Sequence, residues 1–193
     1  MKRFPLEQFA TVELNQVAFP KTGAVVSQTP LGAEFTKDAP CENGMWVLAD
    51  KARGYIGSIT ANDKAPIGVV YTTEKEYDFY HYGLKTFGRK IAGDYPRVGV
   101  LAPNDTITSN CFQYDDEVEF KATTGDEAKT SDEVLFDALN NIAAVPMYVV
   151  PVVGSAVPKL TKSKPQSGMY AKVVKFYTVP NGEKGIKYQV ISL

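Results

Sequence analysis

Few groups in this chain have the type and spacing to do chemistry. His81 is the single imidazole, and Cys41 and Cys111 are the only thiols. A nucleophilic hydrolase would have to be built around His81, with a serine or cysteine in hydrogen-bond reach and a third group orienting the ring. His81 instead sits in a strand-like aromatic run, residues 74–82, with no nucleophile elbow beside it. A strand histidine bonded to a neighbour is the simpler reading. The two cysteines form no C-x-x-C pair, so both read as buried small hydrophobes, with a disulfide between them as the alternative, and no Cys/His zinc site is expected. Carboxylates are more plentiful: Asp115, Asp116, Glu117, Glu119, Asp126, Glu127, Asp132 and Glu133 fall in one stretch. Such a set suits a hard cation or the acid/base pair of a glycosidase. The loop pattern of a calcium site is missing, however, and adjacent acids on strand edges usually form a solvated face. The Gly-rich phosphate loops and the G-x-S-x-G elbow are absent too. The expectation is a protein with no catalytic residues, no metal and no cofactor.

The wider composition narrows the class further. The 193 residues carry 21 Lys+Arg against 22 Asp+Glu, for a net charge of −1, with 44% hydrophobic residues. That balance is ordinary for a globular chain and lacks the overall basic excess of a dedicated nucleic-acid binder. The longest apolar stretch, residues 142–153, is broken by Pro146 and Pro151 and falls short of the roughly 20 residues that span a bilayer. No export signal follows the basic start at Lys2 and Arg3. Neither nucleic acid nor membrane is expected as a partner, and synthesis is expected in the cytoplasm.

The elements that must position any site are mostly strands. Residues 46–49, 55–59, 67–71, 98–101, 105–108 and 117–121 are short, rich in β-branched and aromatic side chains, and separated by Gly, Pro, Asn and Asp clusters. This spacing predicts a mainly β fold, a β-barrel or β-sandwich. Around 94–111 it reads as turn, strand, tight turn at 102–105, strand. One amphipathic covering helix is expected over about 130–143: Thr130 and Glu133 fit a capping box, and Val134, Leu135, Ala138, Leu139 and Ile142 form one apolar stripe. Residues 169–193 read as a closing hairpin around Pro180, Asn181 and Gly182, in which Ile186, Tyr188 and Val190 alternate with Lys187 and Gln189. The Lys- and Pro-rich residues 151–168 read as a solvated loop, with an arm lying on a partner as the alternative.

Residues 1–40 read as an extended N-terminal arm ahead of a single β-rich domain over 41–193. Phe4, Leu6, Phe9 and Phe19 in this arm are candidate partner-binding anchors. Tyr77, Phe79, Tyr80 and Tyr82 place rings on both faces of one strand, so one face is expected in the core and the other at a subunit contact or sugar platform.

Three stretches together resemble the capsid decoration (cement, or auxiliary head) proteins of tailed bacteriophages. They are residues 44–50 with 55–59 and 66–70, the unit formed by 94–101 and 104–110, and the hairpin around 180–182. The resemblance implies a virion structural protein on the outer capsid surface that binds the major capsid protein, assembles as a homo-oligomer and stabilises the head. It implies no enzyme activity. The alternatives are a tail, baseplate or head–tail connector component, a carboxylate-based glycan hydrolase, and a carbohydrate-binding module.

Overall fold

The computed structural model describes residues 1–6, 9–13, 17, 25–26, 28–60, 66–72, 90–114, 131–144, 146–178 and 182–193. In chain order the strands are β1 (Lys2–Arg3), β2 (Val25–Val26), β3 (Trp46–Leu48), β4 (Ile67–Val70), β5 (Val98–Val100), β6 (Thr106–Ser109), β7 (Gln113–Tyr114), β8 (Tyr148–Val152), β9 (Ser155–Thr161), β10 (Tyr170–Thr178) and β11 (Lys184–Ser192). Helix α1 (Ser131–Asn140) lies between β7 and β8, and a 3-10 turn spans Lys51–Arg53. No helix among the described residues is long and apolar enough to cross a membrane.

The strands form two sheets. One has seven strands in the order β1-β7-β9-β8-β10-β11-β6, antiparallel throughout except where β7 runs parallel to β9. The other has four antiparallel strands in the order β2-β5-β4-β3. Both orders are open, so the fold is mainly β and sandwich-like, and of the two expected architectures the barrel is not the one formed. Alternation dictates the burial on β11. Ile186, Tyr188 and Val190 are buried, with Lys187 and Gln189 on the other face. The short strand β3 has no polar face at all, because Trp46 and Leu48 enter one apolar cluster while Val47 enters another. The four-stranded sheet is therefore covered on both sides. Its first side packs against the seven-stranded sheet, and its second is closed by Leu31, Phe35, Cys41 and Ile56.

Helix α1 covers the main core much as its stripe predicts. Leu135 and Leu139 are buried, and Phe136 sets its ring 6.0 Å from Phe176 of β10. The helix is shorter than the 130–143 expected. It ends at Asn140, and residues 141–144 continue as a turn. Thr130, the proposed cap, lies outside the described residues, as does the strand expected at 117–121.

Two expectations are corrected. Residues 151–168 are not a loop, since the end of β8, a turn at Val153 and Gly154, and all of β9 occupy most of them. Ala156, Val157 and Leu160 fill the core from β9, and Lys159 alternates outward. Pro158 is accommodated because the β8–β9 register slips between Val150 and Val152, where no ladder partner requires its missing N–H. The N-terminal segment is extended as expected, but its described parts lie on their own chain. The Phe4 N–H donates to Phe112 O at 2.9 Å, Val12 bridges to Ser109, and β2 adds to the four-stranded sheet. Its apolar anchors are what hold it there: Phe4, Ala10, Val12, Leu31 and Phe35 are all buried.

Candidate functional site

The residues singled out from the sequence fall in different places. Phe4 is 1% exposed, with its ring 4.3 Å from Phe112 and 5.6 Å, edge-on, from Phe136. It anchors the N-terminus to its own core and offers no surface to a partner. Leu6 is half-buried against both apolar clusters, and Phe9 is half-buried. Phe19, Tyr77, Phe79, Tyr80 and Tyr82 lie outside the described residues, together with His81, Asp115, Asp116, Glu117, Glu119, Asp126 and Glu127. Of the acidic stretch, Asp132 accepts a hydrogen bond from the Tyr114 hydroxyl, and Glu133 is exposed on the first turn of α1.

Buried polar groups serve the fold. Asn110 Oδ1 accepts from the Thr11 N–H at 2.7 Å, and its Nδ2 donates to Glu183 at 2.8 Å. Asp105 Oδ2 accepts from the Ala102 N–H at 2.7 Å and closes the tight turn before β6. Both thiols are free and buried, and burial pushes both up in pKa. Cys111 is raised to about 12, chiefly by loss of solvent, with Arg3 partly opposing the rise and Glu42 adding to it. A thiol held there has negligible thiolate at neutral pH and is inert as a nucleophile.

A cleft of about 390 Å³, lined by both polar and apolar side chains, opens where the start of β9 meets the N-terminal segment. Arg3 Nη2 donates to Glu42 Oε2 at 3.1 Å, and the Ala10 N–H donates to the same oxygen at 2.7 Å. Glu34, Asp38 and Ser155 line it as well, beside the apolar Phe35, Met45 and Val157. The Glu42 charge is thus met by a cation and a backbone donor, which suits it to fastening the N-terminus. Among the described residues no group of three or more His, Cys, Asp or Glu is placed to hold a metal ion.

Sequence reasoning missed the side chains that do face outward. Tyr95 is 59% exposed and Tyr55 38%. They flank one cross-braced patch. The Leu31 N–H donates to Asp94 O at 2.9 Å, the Ile56 N–H to Pro30 O at 2.8 Å, and the Gly32 N–H to Ile56 O at 2.9 Å. Arg53 sits over the Tyr55 ring, 4.9 Å from its centroid, and donates to its hydroxyl at 2.9 Å. Backbone hydrogen bonds therefore join three sequence-distant segments, from which the braced Tyr55 ring and the exposed Tyr95 project at the surface. The only sequence signals for this were the turn residues around Gly54 and Gly93. No protein-family model, curated protein or solved structure matches the chain.

Proposed function

We propose that this chain is a non-enzymatic structural protein that docks by a preformed surface onto the outside of a phage capsid, where it stabilises the head. The observation that carries the reading is the braced patch at residues 30–32, 53–56 and 93–95. Outward aromatic rings on a hydrogen-bonded frame lose little entropy when they are covered, and such rings are the usual anchors of protein interfaces. The resemblance of residues 44–50, 55–59 and 66–70, of 94–101 with 104–110, and of the hairpin around 180–182 to decoration proteins supplies the lattice as the partner, the major capsid protein as its component, and the virion surface as the location.

The test mixes the purified chain with undecorated heads assembled from the major capsid protein of the same source, and reads bound copies by sedimentation and electron microscopy. Saturable binding at a stoichiometry set by the lattice is expected. Tyr95→Ala should weaken binding by about tenfold or more, since anchor residues at interface centres are worth about 2 kcal/mol or more. Its unfolding midpoint should not move. Absence of the wild-type chain from the heads at native salt overturns the proposal; six or twelve copies at one vertex favour a connector or tail component.

A further inference from the structure

The charge of the chain is strongly segregated. Residues 146–193 hold seven lysines and one glutamate, whereas residues 1–145 hold 14 Lys+Arg against 21 Asp+Glu. The fold gathers part of the basic excess on one surface. On β10 and β11 the inward positions Ala171, Val173, Ile186, Tyr188 and Val190 belong to the core, so the alternate positions face away from it. Lys172 pairs across the strands with Gln189, and Lys175 with Lys187. Lys172 and Lys175 are exposed, and Lys187 is half-buried. Two like charges directly opposite each other disfavour a ladder; Lys175 sets its ammonium 5.2 Å from the Tyr177 ring centroid, and a bound acidic surface would offset the repulsion that is left. The single acid of residues 146–193, Glu183, is engaged by Asn110.

The same face also carries apolar groups. The register of β10 on β11 slips twice, between Tyr170 and Ala171 and between Val173 and Lys175. The residues displaced by these slips are Ile191 and Val174, which stand 41% and 48% exposed. Phosphate backbone gains nothing from valine and isoleucine, whereas a protein surface does, so the combination favours a protein occupant over a nucleic acid.

We propose that this face of the β10–β11 hairpin binds the acidic remainder of a second copy of the chain, head to tail. The contact is heterologous, with a basic face on one copy and an acidic surface on the next, and it propagates as a ring or an open array. The inference rests on charge and geometry within the chain and is independent of the capsid reading.

The test measures self-association of the nuclease-treated full chain by sedimentation and by surface capture, with wild type compared with K172E/K175E/K187E. All three changes are at outward strand positions, and circular dichroism checks that the variant is folded; V174S/I191S probes the same face without a charge reversal. Wild type should associate, weakening steeply as salt rises to about 0.5 M because exposed charges are screened. Captured wild type should still bind the triple variant, which keeps its acidic surface. The variant should bind itself about tenfold or more weakly, since like charges then meet. V174S/I191S should weaken self-association as well. Monomeric wild type at low salt, or self-association of the triple variant at wild-type strength, overturns the proposal. So does loss of variant capture by wild type, which would mean that the hairpin face is needed on both copies, and so does association that nuclease treatment abolishes.

Discussion

At the scale of single residues, the positions that matter most are those where a side chain has no room or no solvent. Gly44 has φ +87°, and a Cβ there would lie 2.6 Å from Cys111 Cβ and against Ser109 Oγ. Ser109 cannot yield easily, because its hydroxyl donates to Thr11 O at 2.8 Å and accepts from the Cys111 N–H at 3.0 Å. Gly54 has a similar φ of +74° but open space where its Cβ would be. Gly44→Ala should therefore cost about 3 kcal/mol or more, against about 1 kcal/mol for Gly54→Ala, as strain plus overpacking compares with strain alone. Urea titration of the pair checks this, and equal losses would mean that the clash relaxes freely. Cys111 offers a second test. Its folded pKa of about 12 lies above the ordinary 9.0, so folding holds the proton more tightly than the unfolded chain does. Its contribution is full below about pH 9 and is lost as pH rises towards about 12. Cys111→Ala should flatten stability over that window, and in the wild type neither thiol should react with a disulfide reagent until the chain unfolds. That the cysteines are inert was legible in their isolation; that Gly44 abuts Cys111, 67 positions away, was not.

Among the elements, those with a local signature were legible. The closing hairpin declares itself by alternation at Ile186, Tyr188 and Val190, and α1 by the stripe that includes the buried Leu135 and Leu139. The strands that escaped notice owe their existence to distant partners. β9 reads as a lysine- and proline-rich loop because what makes it a strand is β8 on one side and β7 on the other. β1 is two residues long and forms only against Gln113 and Tyr114. Phe4 secures it by inserting between Phe112 and Phe136, and Phe136 in turn touches Phe176. Phe4→Ala should cost about 3–5 kcal/mol, in the range of large core truncations, and should free the N-terminal segment first. Limited proteolysis with mass spectrometry should then find cleavage within residues 1–13 before any other site. Phe4→Leu, which keeps most of the volume, should restore resistance. Cleavage elsewhere at the same rate would show that the segment is held mainly by Ala10, Thr11 and Val12.

For the molecule as a whole, the two sheets share one core, and that decides how it comes apart. Trp46, Leu48 and Val69 of the four-stranded sheet lie in the same apolar cluster as Tyr114, Val149, Leu160 and Tyr188 of the other. The seam is specific as well as apolar. Trp46 Nε1 donates to the Tyr188 hydroxyl at 3.0 Å, with the two rings 5.8 Å apart and inclined at 60°. Burial raises the Tyr188 phenol well above its ordinary range, so this hydroxyl is a neutral partner at neutral pH. The N-terminal segment ties the sheets together a second time, with β1 in one, β2 in the other, and Glu42 bound to both Arg3 and Ala10. Neither sheet can lose its contacts without exposing the other's core, which predicts one cooperative transition. As the only tryptophan, Trp46 reports the seam by fluorescence, while far-UV dichroism reports the strands wherever they are. The two denaturation curves should coincide, and Leu48→Ala should shift both together by about 2–5 kcal/mol. A fluorescence transition that precedes the dichroism transition would mean that the seam opens while the seven-stranded sheet survives, and the two sheets would then be separate folding units.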